Sequence, residues 1–489
     1  MTKEEFIQQI LQAFGWQPTA DQRHALDVFA QFLADRREQA VMILRGSAGT
    51  GKTSLAAAIV RTLRRLGQKM LLLAPTGRAA KVFSLNAGEP AYTIHRKIYR
   101  QKTFAGDFNL NDNLHADTLF IIDEASMIAN GQKWGAELRD VNFGSGGLLD
   151  DLVKYVYSGR NCRMLLIGDK AQLPPVGDDH SPALDADMMA GYGLSTYECD
   201  LNEVLRQSQE SGILYNATVT RNMLTSTSAE ETTLPTIRLH GFADIQCVPG
   251  NELIEQLNSS YSKVGMDETM VITRSNKRAN IYNQGIRNTI LDREEELCTG
   301  DLLMIVKNNY KISTPDANTT KEGEMPFTFI ANGDRALVQR VRNVRELYGF
   351  RFADIWLRYP DYDNYEMQST VVLESLTTEA PALTHEQNNH LYQAIMEDYA
   401  YIPRKADRIA RLKEDPYYNA LQVKFAYAVT CHKAQGGQWA HVYIDQGYMT
   451  DDMLTPDYVH WLYTAFTRAT EKLYLVNWPR TQTEETEEE

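Results

Sequence analysis

The sequence has few cysteines, and they form no pattern. Its five cysteines are far apart along 489 residues, and no C-x-x-C pair occurs. This spacing argues against a zinc site, an iron–sulfur cluster or a disulfide framework. We expect the cysteines to be buried as small hydrophobic side chains.

Long apolar runs and a targeting segment are also lacking. No stretch reaches the roughly 18 apolar residues that a membrane-spanning helix needs. Residues 1–16 combine acidic side chains with an amphipathic pattern, whereas a secretory signal would have a basic region followed by an apolar one. We therefore expect a cytoplasmic protein with no membrane partner.

Basic residues are outnumbered, with 50 Lys and Arg against 64 Asp and Glu and a formal net charge of −14. This balance disfavours nucleic acid as a partner, because phosphate contacts need Lys and Arg. However, five of the acids lie in the carboxy-terminal run Glu484, Glu485, Glu487, Glu488 and Glu489, which we expect to be a disordered tail. A nucleic-acid groove needs only a local basic lining, so the global charge does not exclude one.

The chain has two stretches in which strand and helix patterns alternate. Apolar runs predict four strands in the first stretch, at 40–44, 69–74, 118–123 and 163–168. The second stretch is discontinuous, with strands predicted at 269–274, 423–430, 442–445 and 472–476. Such alternation indicates parallel sheets, with ligands bound at the carboxyl ends of their strands.

An insertion interrupts the second stretch. Short alternating strand candidates surround the turn Asn332-Gly333-Asp334, at 301–307, 327–330, 335–341 and 354–358. They predict a small β-barrel, and a charged helical segment follows near 384–414.

Residues 46–53, GSAGTGKT, fit the phosphate-binding pattern G-x-x-x-x-G-K-[ST] directly after a predicted strand. Glycines let the backbone curl around an anion, so that N–H groups and the next helix N-terminus point at phosphate oxygens. Lys52 is expected to reach the terminal phosphates and Thr53 to bind Mg²⁺. The alternative, a glycine-rich turn with an incidental lysine, is disfavoured by the flanking strand and helix patterns. The predicted ATP-binding residues are Gly46, Ser47, Ala48, Gly49, Thr50, Gly51, Lys52 and Thr53.

A second apolar strand ends in two adjacent acids, Asp123 and Glu124. In P-loop ATPases the first such acid holds the Mg²⁺ shell and the second can polarise the attacking water. By itself an Asp-Glu pair at a strand end is commonly a solvated turn. After a P-loop in the same stretch, we interpret Asp123 as a metal ligand and Glu124 as the general base.

Further motifs follow the P-loop in order: APTGRAA at 74–80, DEAS at 123–126, GDKAQLPPVG at 168–177, VLRQ at 204–207, TCHKAQG at 430–436 and YTAFTRA at 463–469. Together they resemble superfamily 1 DNA helicases, most closely the RecD and Dda type, superfamily 1B. The resemblance spans residues 22–470. It implies an α/β fold of two RecA-like parallel-sheet domains, with a small hairpin insertion in the first and a small β-barrel insertion in the second.

The resemblance also implies domain bounds. The first RecA-like ATPase domain is expected at 1–206, with its hairpin insertion at about 85–116. The second RecA-like domain is expected in two parts, 207–300 and 421–480. The inserted barrel and helical segment lie between them at 301–420, and the acidic tail follows at 481–489.

By resemblance, several polar residues act on the nucleotide. Gln22 occupies the position of an adenine-reading glutamine, because an amide can both donate and accept hydrogen bonds. Thr19-x-x-Gln22 is also a helix capping box, so both interpretations stay open. Gln172 is expected to sense the γ-phosphate and couple it to DNA. Arg206 and Arg468 are expected to close on the phosphates from across the cleft, with surface salt bridging as the alternative.

One residue departs from the family pattern. After His432-Lys433-x-Gln435-Gly436 the family often has a small residue and then an acid that touches the nucleotide ribose. This chain has Gly437-Gln438 there. Gln438 can still hydrogen-bond a hydroxyl, but without charge.

The resemblance assigns DNA contacts to hydroxyls, imidazoles, cations and backbone groups at strand ends, which bind phosphate without reading bases. These residues are Pro75, Thr76, Arg78, Thr93, His95, Thr430, His432 and Lys433. Three aromatic residues near these motifs, Phe83, Tyr92 and Trp439, are either core residues or stacking platforms for bases.

The family implies an ATP-dependent translocase that moves 5′-to-3′ on single-stranded DNA and unwinds tailed duplex DNA with ATP and Mg²⁺. An alternative is an ATP-driven motor subunit of a repair or recombination complex, with a protein partner and weak unwinding of its own. A non-enzymatic single-strand-binding module is disfavoured by the intact nucleotide motifs. The predicted catalytic residues are Lys52, Glu124, Gln172, Arg206 and Arg468.

Overall fold

The structure is a computed structural model, which describes residues 1–35, 37, 39–101, 108–131, 147–203, 210–225, 234–309 and 330–484. Two parallel sheets and one closed barrel form its framework. The predicted fold class is therefore confirmed. None of the described helices is long and apolar enough to span a membrane.

The first domain alternates strands and helices. In chain order its elements are α1 (Lys3–Phe14), α2 (Ala20–Ala34), β1 (Ala40–Gly46), α3 (Lys52–Arg65), β2 (Lys69–Ala74), α4 (Gly77–Ala87), β3 (Ala91–Thr93), α5 (Ile94–Ile98), β4 (Tyr99–Gln101), β5 (Phe108–Leu110), β6 (Thr118–Ile122), α6 (Leu148–Ser158), β7 (Arg163–Gly168), α7 (Ala186–Gly191) and β8 (Ser195–Leu201). Six of the strands form one parallel sheet in the order β3-β2-β6-β7-β1-β8.

Both faces of this sheet are covered, which explains why β1 is buried along its whole length. Side chains alternate along the strand, so Met42 packs into the core with α1, α2 and α3, while Ile43 packs into the core with α6. A strand that is buried on both faces has a continuous run of apolar residues, and this run predicted β1 from the sequence.

The predicted hairpin insertion contains β4 and β5, which pair antiparallel. Residues 102–107, between the two strands, lie outside the described part of the chain.

The second domain and its insertion follow. Their elements are α8 (Gly212–Thr225), β9 (Ile245–Val248), α9 (Leu253–Lys263), β10 (Thr269–Thr273), α10 (Asn276–Gly285), β11 (Leu302–Ile305), β12 (Arg335–Leu347), β13 (Phe350–Tyr359), β14 (Tyr365–Val372), α11 (His385–Asp398), α12 (Lys405–Glu414), β15 (Leu421–Phe425), β16 (Ala428–Thr430), α13 (Cys431–Ala434), β17 (Trp439–Asp445), α14 (Pro456–Phe466) and β18 (Ala469–Val476). The parallel sheet has the order β16-β10-β17-β18-β9, and the barrel consists of β11 to β15.

The single strand predicted at 423–430 is wrong. Its first part belongs to β15 of the barrel, and its last part is β16 of the parallel sheet. The chain changes sheets at Tyr427, whose buried hydroxyl donates to Asp301 over 3.0 Å and accepts from the Leu302 N–H over 3.1 Å. The apolar residues at 423–430 do not indicate that the chain leaves one sheet and enters another within this run. Of the candidate at 327–330, residues 327–329 lie outside the described residues, and Ile330 bridges Asn309.

Two expectations about composition need correction. Cys162, Cys199 and Cys431 are buried, but Cys247 is exposed, because it lies on the edge strand β9. Of the run expected to be disordered, the structure describes Glu484, whose backbone N–H donates to the Ile237 carbonyl over 3.0 Å. Thr483 pairs with Ile237 in a parallel bridge, and residues 485–489 lie outside the described part.

Candidate functional site

Three neighbouring strands of the first sheet end at the candidate nucleotide site. β6, β7 and β1 lie side by side and run parallel. Asp123 and Glu124 follow β6, Asp169 follows β7, and the P-loop follows β1. The carboxyl ends of parallel strands meet at one edge, so the sheet brings the three motifs together.

The P-loop has the backbone of an anion cradle. Gly49 and Gly51 have φ of 78° and 74°, a conformation that glycine adopts without strain. No described side chain caps α3, so its first N–H groups are free to meet phosphate oxygens. Lys52 Nζ donates to the carbonyl of Gly46 over 3.2 Å. The loop and the first turn of α3 contain all the predicted phosphate ligands: Gly46, Ser47, Ala48, Gly49, Thr50, Gly51, Lys52 and Thr53.

Two buried carboxyl groups lie in the electrostatic field of Lys52. Burial, and then the charge of Glu124, raise the pKa of Asp123 to about 6, although Lys52 opposes the rise. Burial also raises the pKa of Asp169, and Lys52 and Tyr463 oppose that rise. Acidic groups thus outnumber the lysine, so a bound cation would favour their ionised forms.

Two buried acceptors at the site are unsatisfied. Glu124 Oε2 and Gln172 Oε1 have no hydrogen-bond partner among the described residues. Because buried polar atoms are normally paired, these two fit a ligand that brings a cation, a water molecule or another donor. A nucleoside triphosphate with Mg²⁺ meets that requirement.

The residues present also fit the coordination habits of Mg²⁺. Within the described chain, no group of three or more His, Cys, Asp or Glu side chains could hold a metal ion. Mg²⁺ commonly uses one or two protein carboxylates together with substrate phosphates and water. Thr53 and Asp123, the predicted ligands, are enough for such a site.

Gln22 joins α2 to the P-loop. Its side-chain oxygen accepts from the Thr19 N–H over 3.1 Å, and its own N–H donates to Thr19 Oγ1 over 3.2 Å. The capping box is therefore present. Gln22 Nε2 also donates to the carbonyl of Thr50 over 2.8 Å, and the residue is fully buried. Its role toward adenine stays a prediction.

The second domain contacts the site through α14. The hydroxyl of Tyr463 accepts from the Ala48 N–H over 2.8 Å and donates to Asp169 Oδ2 over 2.5 Å. Tyr463 belongs to the motif at 463–469, but no feature of that motif indicated a role for the tyrosine. Its two partners lie 415 and 294 residues away, so only the folded chain reveals the contact.

Arg468 lies just beyond α14 and is 2% exposed. It donates to the carbonyls of Thr464 and Gly437, each over 3.1 Å, and to Thr467 Oγ1 over 3.0 Å. Its guanidinium is buried and donates to protein oxygens of uncharged groups, so a surface salt bridge does not explain it. In this structure Arg468 is bound within its own domain. Arg206 lies outside the described residues.

Sequence reasoning missed Arg221 on α8. Arg221 lines an interdomain cleft of about 510 Å³ together with Gly46, Ser47 and Asp169. Its Nη1 is buried without a hydrogen-bond partner among the described residues. No motif contains Arg221, and nothing in the sequence around it distinguishes it from a surface arginine.

Gln438, the predicted ribose contact, has an exposed side chain. Its backbone carbonyl accepts from Arg78 Nη2 of the first domain over 2.9 Å. The following residue, Trp439, begins β17. The contact between Gln438 and ribose stays a prediction.

The predicted DNA contacts gather at helix N-termini. Thr76, Thr93 and Thr430 are the N-cap residues of α4, α5 and α13. A Cβ atom at Gly436 would lie 3.2 Å from Thr76 Oγ1, so the motif at 430–436 packs directly against the start of α4. Pro75, between β2 and α4, is half-buried. Backbone N–H groups at such positions suit phosphate.

The imidazole and ammonium groups have lowered pKa values. Burial lowers the pKa of His95 to about 4 although Asp151 opposes it, so His95 is neutral at pH 7. Burial also lowers the pKa of His432. It lowers the pKa of Lys433 to about 8, with a further contribution from Lys424. Neutral imidazoles can donate only one hydrogen bond each to a phosphate.

Of the three aromatic candidates, Phe83 and Trp439 are core residues, 1% and 2% exposed. The base-stacking interpretation is wrong for both, because their faces are covered by protein. Tyr92 is half-buried, with the Arg96 guanidinium 5.3 Å and the Lys97 ammonium 5.6 Å from its ring centroid.

Comparison with protein families gives two matches. The AAA domain family matches residues 17–136, and the UvrD-like helicase C-terminal domain family matches residues 425–476. The first range contains the P-loop and the Asp123–Glu124 pair. The second contains Lys433, Tyr463 and Arg468.

Three relatives resemble the chain over different lengths. An uncharacterized protein of Methanocaldococcus jannaschii is 34% identical over 31% of this chain and 13% of its own length. The ATP-dependent DNA helicase dda of Enterobacteria phage T4 is 21% identical over 86% of this chain and 90% of its own length. The ATP-dependent RecD2 DNA helicase of Deinococcus radiodurans is 27% identical over 65% of this chain and 40% of its own length. The chain thus spans less than half of two of these relatives.

Proposed function

The chain belongs to the superfamily 1B helicases, and from this premise we propose that it is an ATP-dependent translocase that moves 5′-to-3′ on single-stranded DNA and unwinds duplex DNA. Two of its relatives are ATP-dependent DNA helicases by name, which supports ATP as the substrate and DNA as the partner.

One observation carries the proposal: the nucleotide motifs and the predicted strand-contact motifs meet at the same interdomain boundary. The Tyr463 hydroxyl of the second domain is bound to Ala48 and Asp169 of the first. On the same boundary Gly436 packs against Thr76, a predicted DNA contact. A change in the distance between the domains would therefore alter both sites together, which is the requirement for a motor.

For hydrolysis we assign separate tasks to the chain's own residues. Lys52 and the N–H groups at the start of α3 hold the phosphates. Glu124, whose Oε2 is unpaired among the described residues, accepts the proton of the attacking water. Gln172 donates its amide N–H toward the γ-phosphate, while its Oε1, unpaired among the described residues, accepts from water. Mg²⁺ on Thr53 and Asp123 would neutralise charge on the phosphates when bound.

Domain closure supplies the remaining groups. We propose that Arg468 leaves its carbonyl partners and approaches the phosphates together with Arg206 when the cleft closes on ATP. Two domains that grip one strand alternately then step along it, because the nucleotide state changes the relative affinity of each grip. Direction depends on which domain holds the strand during closure, and the family placement favours 5′-to-3′.

A strand-displacement assay tests the proposal. We expect ATP and Mg²⁺ to support unwinding of a duplex with a 5′ single-stranded tail, and no unwinding of the same duplex with only a 3′ tail. The Lys52→Ala variant should be inactive on both, which excludes a contaminating helicase. Unwinding from the 3′ tail alone would contradict the proposed direction. DNA-stimulated ATPase without unwinding of either substrate would favour a motor subunit that needs a protein partner.

A further inference from the structure

One tyrosine hydroxyl joins both domains at the nucleotide site. Tyr463 lies on α14 of the second domain and is 1% exposed. It accepts from the Ala48 N–H of the P-loop over 2.8 Å and donates to Asp169 Oδ2 over 2.5 Å. A neutral phenol has one proton, and Asp169 receives it. Burial, and then the charge of Asp169, raise the pKa of Tyr463, so this proton stays on the phenol across the physiological range.

The same helix holds the chain that follows Asp169. Thr464 Oγ1 accepts from the Leu173 N–H over 2.7 Å, and His460 Nδ1 lies 2.9 Å from the carbonyl of Ala171. A fourth contact comes from Gln435, whose amide donates to the Leu173 carbonyl over 2.5 Å. Residues 169–173 therefore make several polar contacts with the second domain, although they follow β7 of the first domain.

Gln172 lies inside this segment. Its Oε1 has no hydrogen-bond partner among the described residues. The position of Gln172 is therefore determined by its neighbours Ala171 and Leu173, whose backbone groups contact the second domain. The position of this backbone therefore depends on the position of α14. Arg468, two residues beyond the end of α14, donates to the carbonyl of Thr464 on the same helix over 3.1 Å.

We propose that Tyr463 is a positioning residue that makes ATP turnover depend on DNA. Its hydroxyl fixes the P-loop and Asp169 relative to α14, and so relays the position of the second domain to the site of hydrolysis. The inference rests on the proposed function, because it assumes that DNA changes the position of that domain.

The test compares two tyrosines on α14. Tyr463→Phe removes the hydroxyl that crosses the domains. Tyr458→Phe removes the hydroxyl of another buried tyrosine, which donates to Gln446 Oε1 over 2.5 Å within the second domain. ATP turnover is measured with and without a saturating oligo(dT), across a range of ATP concentrations.

For Tyr463→Phe, we expect the ratio of turnover with DNA to turnover without DNA to fall about tenfold or more, the effect of one lost hydrogen bond to a charged group. The KM for ATP should stay within about threefold, since the phosphate ligands are retained. Tyr458→Phe should keep the wild-type ratio.

The pH profile gives a readout that a purely structural role would not move. Donation by Tyr463 stabilises the ionised form of Asp169, so its loss should raise the pKa of Asp169. The acid limb of DNA-stimulated turnover should then shift to higher pH in Tyr463→Phe and not in Tyr458→Phe.

The outcomes separate this inference from the proposed function. A wild-type enzyme without DNA-stimulated turnover would overturn both. A stimulated wild-type enzyme and an equally stimulated Tyr463→Phe variant would overturn only the role of Tyr463. Equal losses with and without DNA, with an unshifted acid limb and a lower melting temperature, would also overturn it and indicate a stability role.

Discussion

At the nucleotide site the acidic groups Asp123 and Asp169 lie in the field of one cation, Lys52. Beside α4 the arrangement is reversed, because Arg78, Lys81 and Arg335 surround the carboxylate of Asp361. Each of the three cations has a nitrogen 3.6 Å from an Asp361 oxygen, and that side chain is 1% exposed.

The difference indicates what each region is built to receive. The first has an excess of buried carboxyl groups and suits a cation, as expected for Mg²⁺ with a nucleotide. In the second, three cations lie around Asp361, whose oxygens have no hydrogen-bond partner among the described residues, and Arg78 also lies 3.5 Å from the more exposed Glu268. Such a cluster suits an anion, and Arg78 is a predicted phosphate contact. The chain therefore has a local basic region despite its net charge of −14.

The strongest change is expected at the nucleotide site, where we propose that Arg468 meets the phosphates when the cleft closes. Arg468→Ala should lower DNA-stimulated ATP turnover by about 10³-fold, because fixed positive charge at the phosphates acts in the transition state. The affinity for a fluorescent ATP analogue should change little. Equal losses of affinity and turnover would contradict a transition-state role. Melting temperatures are needed alongside, since Arg468 is buried and hydrogen-bonded in its own domain.

Local sequence signals were sufficient for most of the nucleotide site. The P-loop, the Asp123–Glu124 pair and the start of the 168–177 motif each follow an apolar strand, and parallel strands bring such ends together. The contacts around Asp361 were not predictable in this way. Lys81 donates to the carbonyl of Pro360, 279 residues along the chain, and no pattern in either segment indicates the other.

The fold shows the same division. Long, fully buried strands such as β1 were predicted, whereas the short edge strand β9 and the corner at Tyr427 were missed. Burial on two faces produces a continuous apolar run, but an edge strand with exposed central residues does not. The position of Tyr463 between two motifs likewise depends on how the domains pack.

A second prediction concerns the pH dependence of single-stranded DNA binding by Lys433. Because burial lowers the pKa of Lys433 to about 8, the lysine is charged at pH 7 and largely neutral at pH 9. Phosphate favours the charged form, so affinity for single-stranded DNA should be constant below about pH 7.5 and fall as pH rises through 8. The expected loss between pH 7 and pH 9 is about tenfold, as a single-site linkage gives for this pKa.

Fluorescence anisotropy with a labelled oligo(dT) measures this loss. Lys433→Arg is the matched variant, because a guanidinium stays protonated over the whole range and should flatten the profile. An unchanged profile in Lys433→Arg would assign the pH dependence to another group, such as Lys424, whose pKa is also lowered to about 8 by burial.

The last prediction removes the buried carboxylate of Asp361, which lies among Arg78, Lys81 and Arg335. In Asp361→Asn, Lys81 loses this carboxylate and Arg78 keeps the more exposed Glu268, 3.5 Å away, so both cations should pair more readily with phosphate. Each additional phosphate contact with a single strand steepens the dependence of log K on log salt by about 0.7, so binding at 50 mM salt should tighten by roughly threefold and weaken faster as salt is added. Asp363→Asn is the matched control, because Asp363 lies exposed in the same turn between β13 and β14. A salt titration of DNA affinity for both variants, with melting temperatures, decides the result.

If Asp361→Asn lowers the melting temperature while the salt slope stays that of the wild type, these cations hold the barrel against α4 and do not face DNA. A steeper slope in Asp361→Asn alone would mean that Asp361 occupies, in the DNA-free protein, the place that a phosphate takes in the complex.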